Sequence, residues 1–260
     1  MFKFDGRIAR ILDDAYQGSD VTKRRMANFD ALKLQPAEVV LDIGCGPGFL
    51  TLEMSRAVGE RGRVVGMDPS EAMRQTAKER CAERSNVEII NGSANETLCD
   101  PGYFDKAVAV QVFEYLNDIP GALLELSRVL RTDGRLVIGD IHFDSLVWFS
   151  EHPERMSHVL SAWDRHLIDR GVPAILPNLL QENGFAVESI RALTIVDTSL
   201  RPDGLANMML HLIEAFIAKQ DDFSAEDARS WAGEQENLAT QGRFFFSCTH
   251  FVTAARNASG

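Results

Sequence analysis

VVLDIGCGPGFLTLEMS, residues 39–55, is the stretch on which the reading of this chain turns. The apolar run 39–41 reads as a buried parallel strand, and it ends in Asp42. The chain then opens into Gly44-Cys45-Gly46-Pro47-Gly48. A helical pattern follows at once, with Phe49, Leu52, Ser55 and Arg56 at helical spacing. Strand, glycine turn and helix in that order form the front of a nucleotide-binding βαβ unit. Glycines there let the backbone turn sharply and approach a ligand closely. The helix N-terminus presents unpaired N–H groups to a polar part of that ligand.

The glycine spacing selects among nucleotides. The dinucleotide fingerprint G-x-G-x-x-G needs a glycine at position 49, which here is Phe49. A phosphate loop needs Lys followed by Ser or Thr after the glycines, and neither follows. Asp42 would repel a pyrophosphate but attract a ligand ammonium group. The pattern resembles motif I of the class I S-adenosylmethionine-dependent methyltransferases, whose methyl donor carries an amino-acid moiety and no phosphate. The competing reading is a glycine turn in an ordinary α/β protein.

The next strand, 63–67, ends at Asp68, where a carboxylate is placed to accept hydrogen bonds from a ribose diol. Asp68-Pro69-Ser70-x-x-Met73 resembles the family's segment after strand two, which puts Met73 against the adenine; plain core packing is the alternative for that side chain. Residues 87–90 make a third strand. In the following turn the family reads Gly-Asp-Ala, whereas this chain has Gly92-Ser93-Ala94. A serine hydroxyl also accepts a hydrogen bond. Residues 104–112 make a fourth strand leading into Phe113-Glu114-Tyr115-Leu116, with Gln111 facing the methyl donor by resemblance. A helix over 119–130 and the turn Thr132-Asp133-Gly134 lead to a fifth strand, 134–140.

Four motifs in order over 39–140 imply an α/β, Rossmann-like class I methyltransferase fold. It has a seven-stranded, mostly parallel sheet, an antiparallel last strand and helical cap insertions. The resemblance implies S-adenosyl-L-methionine as cofactor, held by Asp42, Gly44, Cys45, Gly46, Gly48, Asp68, Pro69, Met73, Ser93, Ala94 and Gln111. In the N-terminal stretch, Phe4, Ile8, Ile11 and Leu12 predict a short amphipathic helix, and the basic cluster Lys23-Arg24-Arg25 follows. Similar methyltransferases close such a segment over the donor, which brings Tyr16 and Arg25 to its carboxylate or sulfonium region. A core tyrosine and a solvated basic face are the alternatives.

The expected organisation is a helical lid segment at 1–34 and the cofactor-binding core at 35–140. A helical insert follows at 141–182, then strand six within 183–198, a helical cap insert at 199–242, and strand seven with a tail at 243–260. Inserts of this length are functional or carry their own structure. In the second, Leu205, Met208, Met209, Leu212, Ile213, Phe216 and Ile217 follow helical spacing; in the first, Met156, Val159, Leu160, Trp163 and Leu167 do the same.

At 260 residues one α/β domain with embellishments is the natural count. No apolar run is long enough to encode a membrane span, and the N-terminus lacks the apolar core of a signal peptide. Cys45, Cys81, Cys99 and Cys248 show no C-x-x-C spacing, so neither a disulfide framework nor a zinc site is expected, and a cytoplasmic location is. The net charge of −11 without a basic stripe argues against a nucleic-acid substrate. A small-molecule acceptor is the expected partner, and a homodimer is compatible with the reading.

Methyl transfer is an in-line displacement at a sulfonium methyl, so nucleophile, carbon and sulfur must be held collinear and water excluded. A weakly acidic nucleophile also needs its proton removed. Candidates at and beyond the tip of strand five are Asp140, His142, Asp144, His152, His158 and His166. His142, with Asp140 beside it, is preferred as catalytic because it lies just past the C-terminal end of a core strand. Each of the six has an ordinary structural alternative. No metal is expected: a second carboxylate cluster suited to magnesium is missing, and the cysteines are not placed for arsenite.

The overall look is closest to the small-molecule branch that contains the quinone C-methyltransferases. The acceptor expected is largely apolar, aromatic or isoprenoid-like, and enclosed by the two inserts and the N-terminal segment. Met208, Met209, Trp148, Phe149, Trp163 and Trp231 support this. So does the excess of eight acids over three bases in 199–242, which repels phosphorylated acceptors. A methyltransferase-fold protein without catalysis, acting as a binding or regulatory partner, is the alternative; intact Asp42, Asp68 and glycines favour the active enzyme.

Overall fold

Strand β1, Val39–Ile43, is buried on both faces because its neighbours on both sides are also parallel and apolar. It pairs with β2, Arg63–Met67, and with β4, Phe104–Val110; β2 pairs in turn with β3, Val87–Ile90. The remaining strands are β5, Leu130–Trp148, β6, Phe185–Asp197, and β7, Phe246–Asn257. The computed structural model describes residues 16–259. The seven strands form one sheet in the order β3-β2-β1-β4-β5-β7-β6, with the last strand antiparallel, as the sequence predicts. The helix expected around Phe4 to Leu12 lies outside the described residues.

Eight α-helices are described: α1 Ser19–Leu32, α2 Phe49–Val58, α3 Glu71–Arg80, α4 Ile119–Val129, α5 Pro153–Trp163, α6 Val172–Glu182, α7 Leu205–Ile217 and α8 Ala225–Thr240. The chain divides into two compact units. Among the described residues, the sheet unit comprises 25–142, 171–193 and 250–259; the insert unit comprises 16–24, 143–170 and 194–249. The first insert expected, 141–182, is therefore divided. Its helix α6 buries Val172, Leu176 and Leu180 with Leu123 and Leu126 of α4 on one face of the sheet. On the other face Leu50, Met54 and Val58 of α2 pack with Ala31 and Leu32 of α1 against Val40, Val64 and Val108. The alternation along β1 follows: Val40 faces one cluster, Leu41 and Ile43 the other.

Within the insert unit α7 packs against α5 and α8. The N-terminus of α7 has Gly204 as its cap and no side-chain cap of its own. The buried Asp20 carboxylate fills that need: it accepts from the Leu205 N–H at 3.0 Å and from Arg201 at 2.7 Å. Trp148 meets Trp231, Phe246 and Phe244 edge-on, and Trp163 meets Phe216 in the same way. These tryptophans are interior residues, and Met209 is buried with them. Among the described residues no helix is long and apolar enough to cross a membrane.

β5 runs on to Trp148, so 141–148, expected to open a helical insert, is strand instead; two further strand boundaries differ from expectation for visible reasons. β4 stops at Val110 because Gln111 turns to a left-handed φ of 56°, its N–H donating to the Gly139 carbonyl at 2.8 Å. β5 begins early and absorbs the expected turn, since Phe104 pairs with Leu130 and Lys106 with Arg135, and Asp133 in the irregularity has φ 63°.

Candidate active site

The tips of β1, β2, β3, β4 and β5 carry the candidate cofactor residues of the core together with Asp140 and His142, and these lie within the sheet unit. Gly44, Gly46 and Gly48 have φ of 64°, 52° and 83°, the left-handed region that favours glycine. At Gly44 space adds to conformation: a Cβ there would lie 2.4 Å from Cγ2 of Val112 in the turn after β4. Cys45 between them is buried; its N–H donates to the Met67 carbonyl at 2.9 Å, and burial pushes its thiol up, so it stays protonated. At position 49 the phenylalanine ring lies under the guanidinium of Arg80, 3.5 Å from the ring centre, and that of Arg25, at 5.1 Å. Arg25 also donates through Nε to both carboxylate oxygens of Glu53, at 3.0 and 2.9 Å. Its charge is thus matched within the sheet unit, whereas Tyr16 belongs to the insert unit.

Asp68 joins the glycine loop to the next helix. One carboxylate oxygen accepts from the Gly46 N–H at 3.0 Å, the other from the Ser70 N–H at 2.8 Å. Burial raises its pKa, and those two amides oppose the rise. The Ser70 hydroxyl caps α3 by accepting from the Met73 N–H at 3.5 Å; Met73 is half-buried and Pro69 exposed. Sequence reading missed Arg74, which donates to the Asp68 carbonyl and to Asn91 Oδ1, each at 2.8 Å. Ser93 and Glu96 exchange backbone hydrogen bonds of 3.1 Å, and Ala94 is buried in that turn.

Asp42 is buried beneath the loop, where the Thr51 hydroxyl of α2 donates to it at 2.5 Å. Burial pushes its pKa from the usual 3.8 up to about 7; Thr51 opposes the shift, and the carboxylates of Asp68 and Glu53 reinforce it. A carboxyl that holds its proton more tightly when folded favours folding at low pH. Its stabilisation is complete below 3.8 and is lost as pH rises toward 7. Asp42→Asn, which keeps an acceptor for Thr51, is expected to raise unfolding free energy at pH 8 by roughly 1–3 kcal/mol and to leave pH 4 little changed. Denaturant unfolding at both pH values checks this; equal effects at both would contradict it.

Asp140 and His142 lie two apart on β5 and so on one face of the sheet. Asp140 is 1 % exposed. One of its oxygens accepts from the Val112 N–H at 3.2 Å; the other has no hydrogen-bond partner among the described residues. Burial raises its pKa against the pull of the Val112, Phe113 and Gln111 amides. His142 is half-buried, with its ring 6.2 Å from that of Phe251. Gln111 donates to the buried Glu114 at 3.0 Å.

The other four candidate bases are in the insert unit. Asp144 pairs with Arg170 at 3.0 Å, His158 stacks on Phe223, and His166 lies against Trp163 with its Nδ1 on the Trp163 carbonyl. His152 is exposed at the start of α5. Among the described residues no three His, Cys, Asp or Glu side chains gather to hold a metal ion.

Residues 41–138 match the methyltransferase domain family. The chain is 36% identical over 172 residues to an uncharacterized 37.1 kDa protein in transposon TN4556 of Streptomyces fradiae, covering 64% of this chain and 49% of that one. It is 32% identical over 123 residues to the 2-phytyl-1,4-naphtoquinone methyltransferase of Synechococcus elongatus, covering 46% and 52%. The chain thus spans about half the length of the curated relatives it matches. Among solved structures, the YcgJ protein from Bacillus subtilis superposes with a TM-score of 0.63 at 19% identity, covering 92% of this chain and all of that one.

Proposed function

We propose that this chain, whose residues 41–138 form a methyltransferase domain, is an S-adenosylmethionine-dependent methyltransferase of a small, largely apolar acceptor. One observation carries the reading: three left-handed glycines at the tip of β1, locked by the Asp68 carboxylate through the Gly46 and Ser70 amides. This cradle suits S-adenosylmethionine. Carboxylate oxygens have lone pairs left after one N–H each, enough to accept from a ribose diol. Asp42, ionised as pH rises past about 7, adds negative charge near the loop for an ammonium group, and no lysine follows the glycines to bind a phosphate. The bound donor supplies an electrophilic methyl group on a sulfonium.

The chain's own residues then have separable tasks. Gly44 to Gly48, Asp68 and the turn at Ser93-Ala94 hold the donor. Asp140 is a positioning residue: by accepting from Val112 it fixes the turn that carries Gln111 and touches the loop at Gly44. His142, less buried and on the same face, takes the acceptor's proton. His142→Gln is expected to lower turnover about a hundredfold with donor affinity unchanged. Single-turnover kinetics beside a donor titration checks it, and full turnover would remove the role.

For the acceptor, the named substrate of the Synechococcus relative and the acidic 199–242 segment both favour an uncharged apolar molecule. The test is transfer of a tritiated methyl group across phenols, quinones, amines and phosphorylated compounds. Preference for a phosphorylated acceptor would overturn this part.

A further inference from the structure

Besides the Asp68 carboxylate, the loop after β1 has a second support, which comes from the far end of α3. Met73, Ala77 and Arg80 lie along one stripe of that helix, three and four residues apart. Ala77 is buried against the loop: a Cβ added at Gly48 would lie 2.9 Å from its Cβ and 3.0 Å from its Cα. The loop backbone therefore runs directly on the helix, a second reason for glycine at 48 besides its φ of 83°. One turn on, the half-buried Arg80 reaches the same corner of the loop, and its Nε donates to the Pro47 carbonyl at 2.7 Å. The Cys81 thiol next to it donates to the Gly48 carbonyl at 3.8 Å.

These contacts hold one peptide plane at both ends. In a trans peptide, as here, the C=O and N–H point in opposite directions. Between Pro47 and Gly48 the C=O accepts from Arg80, and the N–H donates to the Cys45 carbonyl at 3.0 Å. The Arg80 guanidinium also lies over the ring of Phe49, the first residue of α2, with its Cζ 3.5 Å from the ring centre. Arg25 of α1 meets the same ring at 5.1 Å and is itself held by Glu53 of α2 at 2.9 Å. Loop and helix start are thus gripped together from α3. Arginine suits both tasks, because its planar head stacks on a ring while Nε donates; a lysine ammonium keeps the charge but does neither in that way. We propose, resting on the donor reading of the loop, that Arg80 is a positioning residue for the methyl donor. Acting through the Pro47 carbonyl and the Phe49 ring, it holds the loop in its binding shape before the donor arrives. Such preorganisation raises affinity by taking the cost of ordering out of the binding step.

The competing role for a basic residue in a last helical turn is to face the C-terminal end of the helix dipole, which needs only its charge. Arg80→Lys separates the two roles, since it keeps the charge and loses the planar contact. The test is calorimetric titration of S-adenosylmethionine into the native chain, Arg80→Lys, Arg80→Ala, Phe49→Leu and the Arg80→Ala/Phe49→Leu double variant, well below their melting temperatures. Arg80→Lys and Arg80→Ala should each bind the donor about tenfold more weakly. Phe49→Leu should lose part of that, and the double variant little more than Arg80→Ala alone. In the donor-free chain the Gly48 N–H should exchange with solvent faster in Arg80→Lys, while the β2 amides exchange as in the native chain. A merely structural role would lower the melting temperature and leave donor affinity in the folded variants unchanged. Native donor affinity in Arg80→Lys, unchanged Gly48 exchange in it, or strictly additive losses in the double variant would each overturn the inference and leave the proposed function standing. No donor binding by the native chain would strike both.

Discussion

Asp68→Ala lowers affinity for S-adenosylmethionine by at least about a hundredfold, an expectation that follows from counting hydrogen bonds. Each of the two loop amides on this carboxylate makes a charge-assisted bond worth about 1.5–3 kcal/mol. Alanine leaves both N–H groups without that acceptor and, on the proposed function, removes the partner of the ribose hydroxyls. A loss of roughly 3 kcal/mol corresponds to more than a hundredfold in the dissociation constant. Asp68→Asn keeps one carbonyl acceptor but turns an NH₂ group toward an N–H, so it should fall between the two. Calorimetric titration of the three proteins reads this directly. Equal affinity in Asp68→Ala would show that the carboxylate does not face the ligand.

The largest effect on the loop itself is expected from Gly44→Val. A β-branched residue at φ 64° costs about 1–3 kcal/mol in backbone strain. Its Cβ would also lie 2.4 Å from the Val112 methyl, and relieving that overlap costs about 1–3 kcal/mol more. The displaced Val112 would pull on its own hydrogen bond to Asp140. Donor binding should vanish, and unfolding free energy should fall by roughly 2–5 kcal/mol in denaturant titrations. The milder Gly44→Ala should recover part of its loss when combined with Val112→Ala, because the double change removes the overlap but not the strain. Additive effects would deny the contact.

What could be read from residues alone was whatever is local in the chain. The β1-loop-helix segment and the β2 tip follow from glycine spacing and an acid at a fixed distance, so the sheet and the geometry of the glycine loop were legible. The supports were not. Thr51 beneath Asp42, Arg74 on the Asp68 carbonyl and Val112 against Gly44 are joined by the fold, and none has a motif of its own. Helices α6 and α8 escaped notice for related reasons. The first carries Pro177 inside it and the second is polar overall, with its buried set Ala228, Trp231, Ala232, Gln235 and Leu238 including small and polar residues. Histidines are legible only as residue types: whether His158 and His166 pack or react is not written in the chain, and in the fold each lies against an aromatic ring.

On the proposed function, the loop after β1 holds S-adenosylmethionine and not a phosphate-bearing nucleotide. Calorimetric titration of the native chain with S-adenosylmethionine, S-adenosylhomocysteine, NAD and ATP tests it most directly. Saturable heat is expected with the first two, at one site per chain, and none with NAD or ATP. Saturable binding of NAD or ATP with no response to S-adenosylmethionine would show instead that the loop is a phosphate-binding one.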